Sequence, residues 1–250
     1  MGASAFNAGA GAITLNNAGN NFVGAVNLTN TGANDIAIND VNALTLGNVS
    51  MTAAAAGRLT VNANGAITQV AGTAINTGTG LIRVYAEAGA ITLVNAGNNF
   101  RGITDLYNTG DNNIALQTAG ALALNGLFMT PTGLGGLSLT TNGAITQIGS
   151  IFTGRGAVTI NSGAGAITLR DGGNDFRGAV SLANTGANNI TITDINALEL
   201  GGVSMQLAAG TLLIRSNGNI TQASGTRIST GTGAVTIDSG ATPATISAAR

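Results

Sequence analysis

Short runs of alternating apolar and polar residues recur along most of the chain. Runs such as DIAI, ALTL and VSM are about 3 to 5 residues long, and turns rich in Gly, Asn and Asp separate them. Alternation with a period of two is typical of a strand with one buried face, and no segment shows the i, i+3, i+4 spacing of an amphipathic helix. The pattern therefore predicts an all-β protein made of short strands.

These runs belong to a long internal repeat. The pentapeptide GAITL begins at Gly11, Gly89 and Gly165. Three copies of one unit are therefore predicted, within a solenoid at residues 11–240. The units span 11–88, 89–164 and 165–240, with an incomplete coil or tail at 1–10 and another at 241–250.

A shorter period lies inside each unit. It connects the first inward residues of comparable runs, which are Ile36, Leu59, Ile82, Ile114, Leu137, Val158, Ile190, Leu212 and Val235. Neighbours in this series are about 23 residues apart, except that the steps from Ile82 to Ile114 and from Val158 to Ile190 are longer by about nine. The spacings predict three coils of three short strands per unit, one of them enlarged.

Stacking coil on coil buries the apolar side of such strands when no helix covers them. Each strand then pairs in parallel with its equivalent in the next coil, about 4.8 Å away along the axis. We therefore predict a right-handed parallel β-helix, or β-solenoid, of about nine coils with a nested repeat of about 76–78 residues.

Two side-chain columns and a set of turns are predicted for this solenoid. The inward column is aliphatic and consists of Ile13, Leu44, Ile67, Ile91, Leu122, Ile145, Ile167, Leu198 and Ile220. The outward column is mostly Thr and consists of Thr14, Thr45, Thr68, Thr92, Ala123, Thr146, Thr168, Glu199 and Thr221. Five glycines between strands are expected to adopt positive φ, namely Gly32, Gly78, Gly110, Gly186 and Gly231.

Composition narrows the possible functions. Charged residues make up 8% of the chain, and the 9 basic residues, all Arg, are scattered and opposed by 10 acidic ones for a net charge of −1. A nucleic-acid-binding surface needs a basic stripe, so no nucleic acid partner is expected. No run of about 18 apolar residues occurs, so no membrane span is expected either.

The residue types present do not favour catalysis. The chain has no His and no Cys, which removes the commonest general base, the thiol nucleophile and thiolate metal sites. The carboxylates fall in separate coils, and Asp40 and Asp194 recur at a corner where the middle unit has Thr118. The DGGND turn at 171–175 resembles a calcium-binding turn but does not repeat, so we favour a solvated turn. No enzyme activity, cofactor or metal is expected.

One loop per unit carries an NNF(V/R)G-like sequence, at 20–24, 98–102 and 174–178. The nine-residue enlargement is predicted to place these loops in a row on one side of the rod, roughly 14 Å apart, and such a row could bind a repetitive glycan. The candidate ligand contacts are Asn21, Phe22, Asn99, Phe100, Arg101, Asp175, Phe176 and Arg177. In the alternative, which we favour, each Phe folds inward as a plug and the glycine that follows makes the turn.

GAITL, GAITQ, the NALTL run and the NAGNNF stretch at 17–22 and 95–100 resemble the repeats of filamentous haemagglutinin-like exoproteins of Gram-negative bacteria. The resemblance covers nearly all of residues 11–240. It implies a two-partner-secretion adhesin shaft, exported through an outer-membrane partner transporter and located outside the cell, at the bacterial surface. The family's amino-terminal secretion domain has no counterpart in these residues, so secretion is expected of a parent protein.

Two main hypotheses follow. The first is a structural shaft segment of a secreted surface fibre or adhesin. The absence of polar caps at the ends predicts self-association end to end or laterally, or else that the native flanking coils lie outside these residues. The second is a module whose NNF loops bind host or surface glycans. Ice binding by the Thr column is disfavoured because Ala, not a second Thr, lies beside it, and the drift among the copies argues against an engineered scaffold.

Overall fold

The computed structural model of the protein describes residues 2–206 and 209–240. Within them the chain folds into short strands that all pair in parallel. The strands are β1 Ser4–Asn7, β2 Ile13–Leu15, β3 Val26–Asn30, β4 Ile36–Asp40, β5 Leu44–Met51, β6 Leu59–Ala63, β7 Ile67–Gln69, β8 Ile75–Asn76, β9 Ile82–Ala86, β10 Ile91–Leu93, β11 Ile103–Asn108, β12 Ile114–Thr118, β13 Leu122–Met129, β14 Leu137–Thr141, β15 Ile145–Gln147, β16 Ile151–Phe152, β17 Val158–Asn161, β18 Ile167–Leu169, β19 Val180–Asn184, β20 Ile190–Asp194, β21 Leu198–Met205, β22 Leu212–Ser216, β23 Ile220–Gln222, β24 Ile228–Ser229 and β25 Val235–Asp238.

Parallel pairing arranges these strands in three ladders, one on each face of a solenoid. Ladder one contains β2, β4, β6, β9, β11, the second half of β13 and β16, and it continues with the first half of β21 and β23. Ladder two contains the first half of β5, then β7, β10, β12, β14, β17, β19, the second half of β21 and β24. Ladder three contains β1, β3, the second half of β5 and β8, followed by the first half of β13, β15, β18, β20, β22 and β25.

The predicted parallel β-solenoid is confirmed, but the number of coils is about ten rather than nine. Ile82 pairs with Thr104 in the next coil, and not with Ile114. Ile114 instead pairs with Ile91, on the next face. The longer step from Ile82 to Ile114 is therefore one coil plus one further face, so that each unit makes about three and one-third turns and its equivalent residues move one face around the rod.

This rotation also breaks up the two predicted side-chain columns. Leu44, Ile67 and Ile91 do stack in register, but Leu122 pairs with Ile145 on a different face. The single aliphatic column is therefore wrong, and three columns line the interior instead. Each is enclosed, and together they form one continuous apolar core. Burial of these aliphatic side chains is the main stabilising contribution.

The outward Thr column is divided in the same way. Thr45 and Thr68 lie in register with their hydroxyl oxygens 3.1 Å apart, whereas Thr14 lies beside Ala37. The rank of Thr side chains that suggested ice binding therefore does not exist as one column.

The glycines between strands serve a purpose other than the predicted one. None of the five glycines expected at positive φ adopts it; among the described residues, positive φ occurs at Gly9, Gly72, Gly163, Gly225 and Gly240. At Gly78 an added Cβ would lie 2.2 Å from the Ala55 carbonyl oxygen of the coil below, and at Gly186 it would lie 2.3 Å from that of Ala164. These glycines allow successive coils to approach closely.

The first coil already includes β1, which pairs with β3. The terminal segment predicted at 241–250 lies outside the described residues. No helix among the residues that the structure describes is long and apolar enough to cross a membrane.

Candidate functional site

The three NNF-type loops lie on three different faces of the solenoid. Phe22 lies between β2 and β3, on the face of ladder two, and Phe100 lies between β10 and β11, on the face of ladder three. Phe176 follows Asp175, which bridges to Phe152 of ladder one. The predicted row on one side of the rod is therefore wrong, because each unit advances the loop by one face.

The phenylalanine rings of these loops point inward. Phe100 is 1% exposed and Phe176 is 2% exposed, and both belong to the core. Phe22 is half-buried and meets Phe6 edge to face, with ring centroids 5.9 Å apart. The geometry supports the interpretation of each Phe as a plug, so the two buried rings are unavailable to stack on a sugar.

The glycine after each plug permits a close approach between coils. A Cβ on Gly102 would lie 1.8 Å from the Gly80 carbonyl oxygen, and a Cβ on Gly178 would lie 1.9 Å from that of Gly156. Neither adopts positive φ.

A buried amide pair anchors two of the loops. The Gln69 Nε2 donates to Asn98 Oδ1 over 2.8 Å, and Asn98 Nδ2 donates to Gln69 Oε1 over 2.9 Å. Gln147 and Asn174 form the same pair at 2.8 and 2.9 Å. Both Asn side chains are fully buried. These contacts hold the loop against the coil below and satisfy the hydrogen-bonding groups of the two buried Asn side chains.

The recurring carboxylate corner caps the backbone of the loops. Asp194 accepts the Phe176 N–H at Oδ2 and the Asn196 N–H at Oδ1, both over 2.7 Å. Asp40 makes the equivalent two contacts in the first unit. In the middle unit the Thr118 hydroxyl oxygen accepts the Phe100 N–H over 3.2 Å. A hydroxyl can replace the carboxylate because the function is to accept a backbone hydrogen bond.

Burial raises the pKa of Asp194 above its ordinary value, and the two backbone N–H groups oppose that shift. The nearby Asp175 charge adds to the increase, whereas Arg177 lowers the pKa.

The remaining loop residues make separate local contacts. Asn21 is exposed, and Asn99 is half-buried where it bridges to Asn76. The exposed Arg101 donates from Nη1 to the Thr77 carbonyl oxygen over 3.0 Å.

In the third unit, Asp175 is largely buried and pairs with Arg177, with Nη2 and Oδ2 2.7 Å apart. Asn196 Nδ2 donates to the other carboxylate oxygen over 3.1 Å. The eight predicted contacts are therefore not brought together into one site.

The DGGND turn is organised by hydrogen bonds of its own. Asp171 Oδ1 accepts from the Ser150 hydroxyl over 2.6 Å and from the Gly173 N–H over 2.9 Å. These two bonds, that from Ser150 first, lower the pKa of Asp171. No three carboxylates among the described residues lie close enough together to hold a metal ion.

A surface that the sequence analysis missed lies on ladder one. Four outward side chains from four successive coils form an aromatic column: Tyr85, Tyr107, Phe128 and Phe152. Successive ring centroids are 5.5, 5.0 and 6.3 Å apart, and the middle pair is stacked at an interplanar angle of 20°. The four recur in sequence at the coil period, which is the signal that could have identified them.

A shallow hollow of ≈ 250 Å³ lies beside this aromatic column, bordered also by Asp105, Gly126 and Ser150. Asp105 accepts a hydrogen bond from Asn125 Nδ2 over 2.9 Å and lies 3.5 Å from Arg83 Nε. The hollow thus combines aromatic rings with a few polar groups, in an open surface site smaller than the enclosed clefts that hold small molecules.

The ladders and the rotating loops define a repeat β-solenoid. The chain belongs to the family described as "Repeats of unknown function (DUF5649)", which matches residues 1–29, 33–106, 111–183 and 187–249. The starts of the last three matched segments, at 33, 111 and 187, reproduce the period of the GAITL copies.

The chain is also similar to "Outer membrane protein A" of Rickettsia rickettsii, with 29% identity over 188 residues. The match covers 74% of this chain but spans about 8% of the length of that relative. No solved structure matches significantly. These similarities support a surface repeat protein.

Proposed function

We propose that this chain is a shaft segment of a bacterial surface fibre. The observation that carries the proposal is the continuity of the solenoid: the three ladders and one apolar core run through about ten coils. Because each unit ends one face further around the same cross-section, units can follow one another without interrupting the ladders. Such a rod lengthens by adding units.

The cellular setting of the shaft is proposed from similarity. A relative described as an outer membrane protein supports a location at the cell surface. The resemblance of the GAITL and NAGNNF repeats to filamentous haemagglutinin-like exoproteins supports export of a parent protein through an outer-membrane partner and a role in adhesion.

We also propose self-association end to end: where β1 is the outermost strand of a rod, it offers unpaired backbone groups, which supports such a contact. In β1, the amides of Ser4 and of the residues that alternate with it donate to β3. The Ala5 amide therefore points toward the free edge. Ala5→Pro removes that edge donor and leaves the pairing with β3 in place.

Electron microscopy of the purified protein tests the proposal. Ten coils at about 4.8 Å predict rods roughly 48 Å long that join into filaments. Ala5→Pro is expected to give single rods with an unchanged circular dichroism spectrum. Globular particles would refute the shaft, whereas rods of wild-type protein that never join would refute only the end-to-end contact.

The second hypothesis, glycan binding by the NNF loops, is not favoured. The buried rings of Phe100 and Phe176 are part of the core. Their replacement by Ala would remove core volume and report on folding rather than on binding.

A further inference from the structure

The aromatic column is the part of the outer surface that the fold itself does not explain. The protein has 6 Phe, 2 Tyr and no Trp, and Phe6, Phe22, Phe100 and Phe176 pack into or against the core. The remaining aromatic residues are the aromatic column on ladder one, where Phe152 is 38% exposed. All outward aromatic surface is therefore gathered on one face.

The other two units form the same column without aromatic rings. One repeat earlier and one repeat later, the corresponding residues are Asn7 and Asn161 for Tyr85, Thr29 and Ala183 for Tyr107, Ser50 and Ser204 for Phe128, and Asn76 and Ser229 for Phe152. The earlier set stacks in register on ladder three, and the later set stacks on ladder two. The same column thus forms on other faces with small or polar side chains.

The hollow beside the rings, by contrast, has an equivalent in the third unit, whereas the first unit has Asn48 at the position of Gly126. One repeat later, an equivalent hollow of ≈ 180 Å³ lies beside Gly202, lined by Ser181, Ser204 and Arg227 among others. Gly202 corresponds to Gly126, and at both glycines an added Cβ would make only ordinary contacts. The middle unit therefore lines with aromatic rings a hollow that the third unit lines with small side chains and Arg227.

We propose that the hollow beside the aromatic column, together with the four rings that line it, binds a neutral glycan. We call this surface the aromatic groove. Ring edges offer apolar contact to the C–H surfaces of sugars, and Asp105, which borders the hollow, offers carboxylate oxygens as acceptors to hydroxyl groups. Asp105, which borders the groove, is paired with Arg83 at 3.5 Å, and this neutralised charge favours an uncharged ligand. Strand addition by a peptide is disfavoured because ladder one is paired on both sides here.

Ligand binding at this site can be followed by intrinsic tyrosine fluorescence. It has no Trp and only two Tyr residues, and both lie in the aromatic column. Tyrosine fluorescence therefore monitors this groove alone. The titrants are cellohexaose, maltohexaose, xylohexaose and N-acetylchitohexaose, with hyaluronan hexasaccharide as an anionic comparator and decaproline as a peptide, after a screen of the protein on a glycan array.

A saturable fluorescence change with a neutral glycan is expected. Gly126→Leu, which fills the groove, and Phe128→Ser, which restores the residue of the other repeats, should each weaken binding about tenfold or more. Gly202→Leu is the matched control and should bind as wild type. Circular dichroism should show that all variants fold.

A gain-of-function variant tests whether the rings are sufficient to create a second binding site. Ala183→Tyr, Ser204→Phe and Ser229→Phe together place three of the rings beside the hollow of Gly202, and are expected to double the binding stoichiometry. Absence of neutral-glycan binding on the array, binding unaffected by Gly126→Leu, or a preference for hyaluronan or decaproline would overturn the proposal. The shaft proposal rests on the ladders and would be untouched by any of these results.

Discussion

Gln69 and Asn98 exchange two hydrogen bonds although 29 residues separate them in the chain. Asn98 also accepts the Ile75 N–H over 2.8 Å and donates to the Leu93 carbonyl oxygen. One buried side chain thus joins its own loop to two segments of the preceding coil. Because a buried polar group without a partner is costly, this amide is a point at which the stacking of coils is fixed.

Asn98→Ala should destabilise the middle of the rod by about 3 kcal/mol, since it leaves Gln69 Oε1 and the Ile75 N–H without partners, while Gln69 Nε2 keeps its bond to the Thr73 carbonyl oxygen. Amide hydrogen exchange should show lost protection at Ile75. The Ile151 amide, held over 2.9 Å by Asn174 in the next unit, should stay protected and provides the internal control.

Asn20→Ala is the matched variant, because Asn20 is the equivalent residue of the first unit, is half-buried and donates to the Leu15 carbonyl oxygen. In this variant the free energy of unfolding should fall by only about 1 kcal/mol. Equal losses in the two variants would show that the reciprocal pair adds nothing.

Gly102→Ala should strongly destabilise the coil that follows the Phe100 plug. The new Cβ would lie 1.8 Å from the Gly80 oxygen, and backbone atoms cannot yield without separating two coils. A loss of about 3 kcal/mol or more is expected, together with new proteolytic cleavage in this region. In the same loop, Gly97→Ala places its Cβ 3.6 Å from Ala74 Cβ and should be close to neutral. Similar melting temperatures for the two variants would contradict the close-approach explanation.

The sequence predicts the strands well, because alternation reveals which side chains face inward. It does not reveal which face of the solenoid a strand occupies. The extra length of the step from Ile82 to Ile114 looks like an inserted loop, yet it is one further face of an ordinary coil. The pairing of Ile82 with Thr104 decides between these interpretations, and Thr104 is hard to recognise in sequence because its column is otherwise aliphatic.

The same error hid the aromatic column. With an enlarged coil after Ile82, Tyr85 and Tyr107 belong to different faces and nothing links them to Phe128. In the structure they are in register along ladder one. The NNF loops are the predicted ligand contacts because they repeat. Their repeated residues, however, pack into the core or hydrogen-bond to the backbone, so the repetition reflects folding. The candidate site consists of residues that depart from the repeat.

The stability contributed by Asp194 should depend on pH. Because burial raises its folded pKa above the unfolded value of about 3.9, the folded protein holds this proton more tightly than the unfolded chain does. The favourable contribution is therefore fully present below the unfolded pKa and is lost as pH rises through the folded pKa. Asp194→Asn removes this titration, so its stability relative to wild type should improve as pH rises from about 3 to about 7.

Chemical denaturation at several pH values measures that difference. Asp194→Thr, which copies the residue found at Thr118, should show the same trend despite its different hydrogen bonding. A difference that stays constant with pH, or that favours wild type increasingly toward neutrality, would contradict the assignment.

The aromatic column begins where a column of asparagines ends. Asn39 Nδ2 donates to the Asn16 carbonyl oxygen, and Asn62 Nδ2 donates to Asn39 Oδ1 over 2.8 Å. Asn62 Oδ1 is the one buried side-chain polar atom without a partner among the described residues, and its neighbour in the next coil is Tyr85. The ladder of amides therefore lacks its next donor at the first ring.

Tyr85→Asn should supply that donor. Both Tyr85→Asn and Tyr85→Ala lose the contact with Tyr107, so the comparison between these two variants isolates the new hydrogen bond. The Asn variant should be more stable than the Ala variant by about 1 kcal/mol, and this advantage should disappear when Asn62→Ala is added to both. Denaturation of the four variants measures it. An advantage that survives Asn62→Ala would mean that Asn at this position stabilises the strand by some route other than the amide ladder.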